Sequence, residues 1–149
     1  MIDLDLNSYK SFLQTKKEAG KPYIFDPIRK KHLVLQPEEL VRQLLIQYLI
    51  QELGISSNRI AVEFGIEVNQ LKKRCDLLIF DQTTQPFLLV ECKSPKVKIN
   101  QSTFEQIARY NLSLQVPYLL VTNGLTSYCC QIDFEQHQFA YLEQVPIPE

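Results

Sequence analysis

The stretch RCDLLIFDQTTQPFLLVECKSP, residues 74–95, decides the fold. Two apolar runs, LLIF and FLLV, flank a polar turn, which is typical of a buried β-hairpin. Charged residues stand at the outer ends of the two runs: Asp76 precedes the first, and Glu91 and Lys93 follow the second. The hairpin therefore ends in three ionisable groups, whose relative positions depend on how the two strands pair.

Antiparallel pairing about the centre of the turn predicts the register of the hairpin. Phe80 then lies opposite Phe87, and Asp76 lies opposite Glu91. Directly opposed residues share a face of the sheet, with Cβ atoms roughly 5 Å apart. Lys93 is expected on the face of Glu91, because side chains alternate along a strand. The sequence thus predicts one face that changes from apolar residues to a carboxylate pair and a lysine.

The carboxylates of Asp76 and Glu91 favour a bound cation. Two ionised carboxylates about 5 Å apart repel by roughly 3 kcal/mol at an effective dielectric constant of 20. An all-oxygen pair with room for water suits Mg²⁺, and the absence of cysteine and histidine from this face argues against softer metals. In the alternative interpretation, both acids lie at exposed strand ends, and Glu91 forms a surface ion pair with Lys93.

The composition of the 149-residue chain is that of a globular protein: 45% hydrophobic, 22% charged, with a net charge of −1. This length favours a single domain over residues 1–149, with residues 1–22 as an N-terminal extension. No membrane span or signal peptide is evident, so we expect a cytoplasmic protein. The four cysteines lack metal-binding spacing, and we expect reduced core thiols. The hairpin register places Cys75 and Cys92 opposite each other on its other face.

The clearest helix is QPEELVRQLLIQYLIQELG, in which Pro37 suits the first position and the apolar positions 41, 44, 45, 48 and 49 form one buried stripe. A second helix is expected in residues 100–115, capped by Asn100 or Ser102, and weak helical periodicity runs through residues 1–20. Strands are expected within residues 22–35, 59–68, 117–124, 127–134 and 138–143, with residues 69–74 as a basic link. This order predicts a mixed α/β fold, a sheet flanked by helices on both faces.

Several motifs resemble those of a known nuclease family. Asp76, fourteen intervening residues and Glu91-Cys92-Lys93 match the D-x(n)-E-x-K signature of the PD-(D/E)xK nuclease superfamily. The segments FDPIRKKHLVLQPEELVRQ, LLVECKSPKVKI, FEQIARYN and PYLLVTNG resemble the N-terminal nuclease domain of the restriction subunit of type I restriction enzymes. The resemblance implies a restriction-endonuclease-like core. Cys75 stands where some relatives have proline, which changes packing rather than ligation.

The resemblance also implies a mechanism, that of a magnesium-dependent DNA endonuclease in restriction–modification. Asp76 and Glu91 would hold one or two Mg²⁺ ions, for which Mn²⁺ would be able to substitute. Lys93 would orient the attacking water or stabilise charge developing on phosphorus. A third carboxylate would come from Glu38 or Glu39 on the first helix, and we favour Glu38 because its spacing places it along the buried stripe.

Further candidate residues lie on the second helix and around the site. Gln106 and Tyr110 match the family's Q-x-x-x-Y motif and share one helix face, from which they would contact a phosphate, a base or water near the metal. The alternative for this pair is a polar surface position beside a half-buried tyrosine. Four basic residues flank the site and are candidates for phosphate contact, with simple solvation as the alternative for each: Lys72, Lys73, Arg74 and Lys96.

The expected partners follow from what the sequence contains. No G-x-x-x-x-G-K-[ST] stretch is present, so the ATP-driven motor of the full subunit is not expected in these residues. DNA is the expected partner, with a motor or specificity subunit acting in trans, and a homodimer would allow both strands to be cut. The alternative function is a catalytically inactive nucleic-acid-binding or assembly module of the same fold. Retention of both acids, the lysine and Gln106 favours the enzyme.

Overall fold

The computed structural model describes residues 1–148 of the chain. Short 3₁₀ turns occur at Leu6–Phe12, Ser57–Arg59 and Leu112–Leu114. The helices and strands of the described residues are β1 (Thr15–Glu18), β2 (Lys21–Asp26), β3 (Lys31–Val34), α1 (Pro37–Gln51), β4 (Ile60–Val68), β5 (Leu71–Phe80), β6 (Pro86–Cys92), α2 (Gln101–Asn111), β7 (Tyr118–Thr122), β8 (Ser127–Asp133) and β9 (Gln138–Tyr141).

The strands form two sheets. Six of them make a mixed sheet in the order β4-β5-β6-β7-β8-β9, in which β6 and β7 run parallel and the other neighbours run antiparallel. The helix α2 makes the crossover that a parallel pair requires. The second sheet is antiparallel, with the order β1-β2-β3. Two core clusters lie on opposite faces of the large sheet, one containing residues of α1 and the other residues of α2. The predicted mixed sheet with helices on both faces is confirmed.

The two helices begin where the sequence indicates. Pro37 is the first residue of α1. The predicted apolar stripe of this helix is buried at Val41, Leu44, Leu45 and Leu49. Burying each such leucine or valine stabilises the fold by roughly 1.5–3 kcal/mol. The helix is buried more widely than predicted, since polar residues beside the stripe are buried as well. Of the two proposed caps for α2, Asn100 is the one used.

The cap of α2 is a side-chain hydrogen bond. Oδ1 of Asn100 accepts from the backbone N–H of Thr103 at 2.9 Å. A bond of this kind satisfies one of the free N–H groups at the start of a helix and contributes about 1 kcal/mol. It fixes where α2 starts, and therefore which of its residues face the large sheet.

The predicted register of the β5–β6 hairpin holds in its middle and fails near its turn. Leu78 pairs with Leu89, as predicted. Phe80, however, pairs with Pro86 and not with Phe87, because the register shifts between residues 79 and 80. A proline has no N–H to give to a ladder, and such positions accommodate an irregularity readily.

The basic segment 69–74 is a tight turn and the start of a strand, which corrects the prediction of a link. Asn69 and Gln70 have φ of 51° and 68°, the positive values of a two-residue hairpin turn whose twist matches the strands. Leu71 is already paired with Val68. The basic residues that follow therefore lie on β5, with side chains that alternate between its faces.

The alternation of side chains shifts by one residue at Glu63 and Asp76. The ladder between β4 and β5 pairs Val62 with Leu77 and Phe64 with Cys75, but omits the position between them. Glu63 has a φ of 51°, which an L-residue seldom adopts. Both strands are therefore irregular at the same point, and residues on either side of it face opposite ways.

The shift changes which face each cysteine of the hairpin occupies. Cys92 packs in the α1 cluster, whereas Cys75 packs in the α2 cluster. The prediction that these two cysteines share a face is therefore wrong, because strict alternation does not continue through Asp76. All four cysteines are free and buried, as predicted, and burial raises the pKa of Cys75 to about 11.

The N-terminal segment differs from its prediction. The expected helical periodicity yields only the 3₁₀ turn at Leu6–Phe12, and β1 follows it. Strand pairing with β2 through the turn at Ala19 and Gly20, both with positive φ, prevails over the weak helical pattern. Leu6 and Ile2 are nonetheless buried in the α1 cluster. None of the described helices is long and apolar enough to cross a bilayer.

Candidate active site

Glu91 is a buried carboxylate in the middle of the large sheet. It lies near the end of β6, beside Val121 of β7, and only 8% of its surface is exposed. Burial raises the pKa of Glu91, and the charge of Asp76 adds to this, while Lys73 and Lys93 oppose it. A carboxylate in such a position requires a cation nearby to remain ionised.

Asp76 reaches the same place from the neighbouring strand. Its Oδ2 accepts a hydrogen bond of 2.7 Å from the backbone N–H of Cys92, the residue after Glu91. This side-chain bond stands where the sheet would otherwise continue with backbone bonds, and it fixes the carboxylate beside the end of β6. The structure thus brings the two predicted acids together at the outer end of the hairpin.

Lys93 follows on the chain just beyond β6. Its backbone N–H donates to the carbonyl of Thr122 at 2.8 Å, which ties this residue to β7. Its charge acts on Glu91. The alternative of exposed strand ends with a surface ion pair between Glu91 and Lys93 does not describe this geometry, because Glu91 is buried and its ion pair is with a different lysine.

That lysine is Lys73 of β5. Its Nζ lies 2.8 Å from Oε1 of Glu91, and both side chains are largely buried. This Oε1 is fully buried, and within residues 1–148 no group other than the Lys73 ammonium neutralises or hydrogen-bonds it. The same ammonium lies 4.4 Å from the centroid of the Tyr110 ring. Lys73 lies on the same face of the sheet as Glu91 because the alternation of side chains along β5 shifts at Asp76.

The predicted residues of α2 complete a small pocket. It has a volume of about 190 Å³ and is lined by Lys73, Glu91, Lys93, Gln106, Ile107 and Tyr110. Gln106 is exposed and Tyr110 is 57% exposed, so both stand at the rim. Two lysines, one buried acid, an amide and a phenol therefore face a space open to solvent, which suits an anionic group such as a phosphodiester.

The two glutamates in the first turn of α1 differ in their contacts. Glu39 lies 3.3 Å from Arg29 and 3.4 Å from Arg42, and also accepts from Gln43. Glu38 is exposed, which differs from the buried position that its spacing suggested. Burial and the charges of Asp76 and Glu91 raise the pKa of the Cys92 thiol, and the charge of Glu38 adds a smaller contribution.

A network of charges lies behind Asp76. Arg42 lies 3.4 Å from Glu39 and 3.3 Å from Glu63, the residue of β4 with positive φ. Arg29 lies 3.3 Å from the same Glu63 and 2.7 Å from Asp26. Although burial alone would lower the pKa of Arg42, the acids around it, Glu39 and Asp76 among them, raise it.

This network joins segments far apart in the sequence, and local patterns cannot reveal it. Its effect is to hold the irregular point of β4 opposite Asp76 by two guanidinium groups.

The four basic candidates for phosphate contact occupy different positions. Lys72, Arg74 and Lys96 are exposed, and within residues 1–148 none of them takes part in an ion pair. Lys73 differs because it is engaged with Glu91 inside the pocket. The first three therefore remain candidates for a phosphate-binding rim, while Lys73 belongs to the site itself.

The carboxylates offer a divalent cation two protein ligands. Within residues 1–148, no three side chains of histidine, cysteine, aspartate or glutamate are grouped closely enough to hold a metal. Mg²⁺ is usually bound by one or two carboxylates and keeps several waters, so the donor set of Asp76 and Glu91 fits this ion. The buried Oε1 of Glu91, whose partner is the Lys73 ammonium, is the ligand atom that such an ion would take from Lys73.

Comparisons with known proteins bear on this site. A family model described as type I restriction enzyme R protein N terminus matches residues 37–146, which include every residue of the pocket. No curated protein matches the sequence. A crystal structure of a proposed nuclease belonging to DUF820 from Anabaena variabilis ATCC 29413 is similar in fold, with a TM-score of 0.49 and 10% identity over 98% of this chain and 90% of that chain.

Proposed function

Because the chain belongs to the family of the type I restriction enzyme R protein N terminus, we propose that it is a magnesium-dependent DNA endonuclease. The observation that carries the proposal is the buried Glu91 beside Asp76, at the floor of a pocket lined by two lysines. Two neighbouring carboxylates repel each other when both are ionised, so they destabilise the fold unless a cation binds between them. Their arrangement is the one expected for hydrolysis of a phosphodiester.

The metal would supply the chemistry that side chains alone provide poorly. Asp76 and Glu91 would hold a divalent cation, and the chemistry it would supply is activation of water and stabilisation of negative charge on the scissile phosphate. Of the two glutamates of α1, Glu38 would be the one to hold a water bound to the cation, because Glu39 is already engaged with two arginines. Manganese would serve in place of magnesium, since both take oxygen ligands.

The remaining groups of the pocket would act directly on the substrate. Lys93 would stabilise the charge that develops on the phosphate oxygens, and Gln106 would orient the attacking water or a phosphate oxygen from the rim. Tyr110 is exposed enough to contact the sugar or base next to the scissile bond. Lys72, Arg74 and Lys96 would bind flanking phosphates and fix the register of the DNA.

A second candidate function has one observation in its favour. The ion pair between Lys73 and Glu91 neutralises the central acid without any metal, as a structural site would require. In that case the chain would be a nucleic-acid-binding or assembly module of the same fold. Such a module would act with a motor or specificity subunit in trans, and its pocket would serve only to hold the sheet together.

Cleavage assays with matched variants test the proposal. Supercoiled and linear DNA are incubated with Mg²⁺, Mn²⁺ or EDTA, and products are separated by electrophoresis. Asp76→Ala, Glu91→Ala and Lys93→Ala should each lower cleavage by at least about 100-fold, the loss typical of a group that acts in the transition state. Glu67→Ala, which removes an exposed carboxylate of β4, is the control and should cleave normally.

Combining two of the active-site changes should add little to either one, because residues that act as a unit are not additive. Cleavage that persists in Glu91→Ala, or that is equal in EDTA and Mg²⁺, would refute the proposed enzyme. DNA binding without cleavage in the wild-type protein would favour the inactive module.

A further inference from the structure

The three-stranded sheet has one face against the protein and one face toward solvent. In β2, the central strand, Ile24 and Asp26 are fully buried. Because strand side chains alternate, Tyr23 and Phe25 point to the opposite face. Both are half-buried, and within residues 1–148 neither belongs to a core cluster. Two aromatic side chains two residues apart thus lie side by side on the outer face of this sheet.

The neighbouring strands extend this aromatic surface. Phe25 pairs with His32 of β3, and their ring centroids lie 5.1 Å apart at an interplanar angle of 58°. Tyr23 lies between Lys16 of β1 and Val34 of β3 in the ladder. Cross-strand partners share a face, so the outer face carries three aromatic rings with basic residues beside them.

The charge of the sheet differs from that of the whole chain. Residues 15–34 contain six lysines and arginines but only two acids, a net charge of +4 in a chain whose net charge is −1. Asp26 is buried against Arg29, and Glu18 lies 3.3 Å from Lys16, so both acids are already paired and the surplus positive charge lies on the other lysines. The sheet is therefore a local basic surface, which favours a polyanionic partner.

We propose that the outer face of the three-stranded sheet binds single-stranded nucleic acid. Bases would stack on Tyr23, Phe25 and His32. Lys21 would contact the phosphates, and Lys16 would do so in exchange for its ion pair with Glu18. Proteins that bind single strands combine stacking platforms with a basic groove in this way. A duplex keeps its bases paired and stacked internally, so it would use the lysines but not the aromatic rings.

The three-stranded sheet lies beside the strands that carry the candidate active site, so the bound strand would be a substrate. This part of the proposal rests on the proposed nuclease function. Arg29, in the loop between β2 and β3, lies 3.3 Å from Glu63, which stands opposite Asp76 in the large sheet. Phe25 and His32 are the ring pair at this loop end of the sheet. The loop end of the platform therefore adjoins β4, the neighbour of the strand that carries Asp76.

Fluorescence anisotropy with a labelled oligothymidylate tests the platform, and a labelled DNA hairpin serves as the duplex probe. All measurements are made in EDTA, so that cleavage plays no part. Tyr23→Leu and Phe25→Leu keep an apolar side chain of similar size but remove the ring. Each should weaken binding of the single strand by about fivefold to a hundredfold, the range that one stacked base contributes.

The matched control is Phe64→Leu, which removes an exposed ring from β4 and should leave affinity unchanged. Should Phe25→Leu prove unstable in thermal melts, His32→Ala removes the exposed partner ring and should weaken binding equally. Lys16→Gln should make the salt dependence shallower.

Single-strand affinity that is unchanged in Tyr23→Leu and His32→Ala would overturn the platform. So would a wild-type protein that prefers the duplex probe. These outcomes can be distinguished from a failure of the proposed enzyme. If the wild-type protein shows no metal-dependent cleavage, the nuclease proposal is refuted, but the result of the binding experiment is unaffected.

Discussion

Replacing Lys73 with methionine would test whether this lysine occupies the place of a metal ion. The ammonium lies 2.8 Å from the buried Oε1 of Glu91, so a divalent cation that takes this oxygen must displace it. Methionine keeps the length of the aliphatic chain and removes the charge. We therefore expect Lys73→Met to bind Mn²⁺ more tightly than the wild-type protein does.

The size of the effect follows from the ion pair. At 2.8 Å and an effective dielectric constant of about 20, the attraction between unit charges is roughly 6 kcal/mol. Most of this is offset by desolvation, and a charged contact of this kind contributes a net ~1.5–3 kcal/mol. Removing the competitor should tighten Mn²⁺ binding by about 10- to 100-fold. Without metal, the unpaired acid should lower the free energy of unfolding by about 3 kcal/mol.

Isothermal titration calorimetry gives the affinity for Mn²⁺, and thermal melts with and without the ion give the stability. A ligand that binds the native state raises the melting temperature more when it binds more tightly, so at a given Mn²⁺ concentration the rise should be larger in Lys73→Met. Lys72→Met is the control, because Lys72 is an exposed neighbour on the same strand. It should behave as wild type in both measurements.

Two results would count against this reasoning. If Lys73→Met folds normally and binds Mn²⁺ no more tightly than wild type, Lys73 does not compete for the site. If neither protein binds Mn²⁺ at millimolar concentration, and Glu91→Gln changes nothing, Asp76 and Glu91 do not form a metal site.

Two further predictions concern stability. Asp26 is buried; burial raises its pKa, but hydrogen bonds from Arg29 and Ile28 outweigh this and hold the pKa below its ordinary value. Asp26→Asn should therefore lower the free energy of unfolding at pH 7 by about 1–3 kcal/mol, as measured by urea titration. The difference in free energy between the two proteins should shrink as pH falls below about 4, because the carboxyl of the unfolded chain is then protonated. A difference that stays constant with pH would contradict this prediction. Gln70→Gly should stabilise the protein by up to about 1 kcal/mol, because Gln70 has a φ of 68° in its turn and glycine adopts positive φ without strain. A melting temperature below that of wild type would instead show that the side chain of Gln70 is needed.

Local patterns in the sequence were sufficient for most of the architecture. The stripe of α1, the cap at Asn100 and the pairing of Leu78 with Leu89 each depend on residues close in the sequence, and each is confirmed. Apolar strands with a helix between β6 and β7 indicate the crossover in the same way. The meeting of Asp76 with Glu91 was accessible because a single hairpin contains both.

The errors share a physical cause, which is departure from regular strand geometry. The pairing of Phe80 failed because a register shift lies beside Pro86. The faces of Cys75 and Lys73 could not be predicted because alternation changes at Asp76, where a side-chain bond to Cys92 replaces regular pairing. Charges from segments far apart hold this irregularity, and no window of sequence contains them all.

The irregular point of β4 also affects how the folded protein meets other copies of itself. This strand is one edge of the large sheet, and a long regular edge presents backbone N–H and C=O groups that can pair with another chain. Glu63, with its positive φ and its charge turned toward two arginines, interrupts that row in mid-strand. The bend that brings Lys73 to Glu91 therefore also makes this edge a poor template for aggregation.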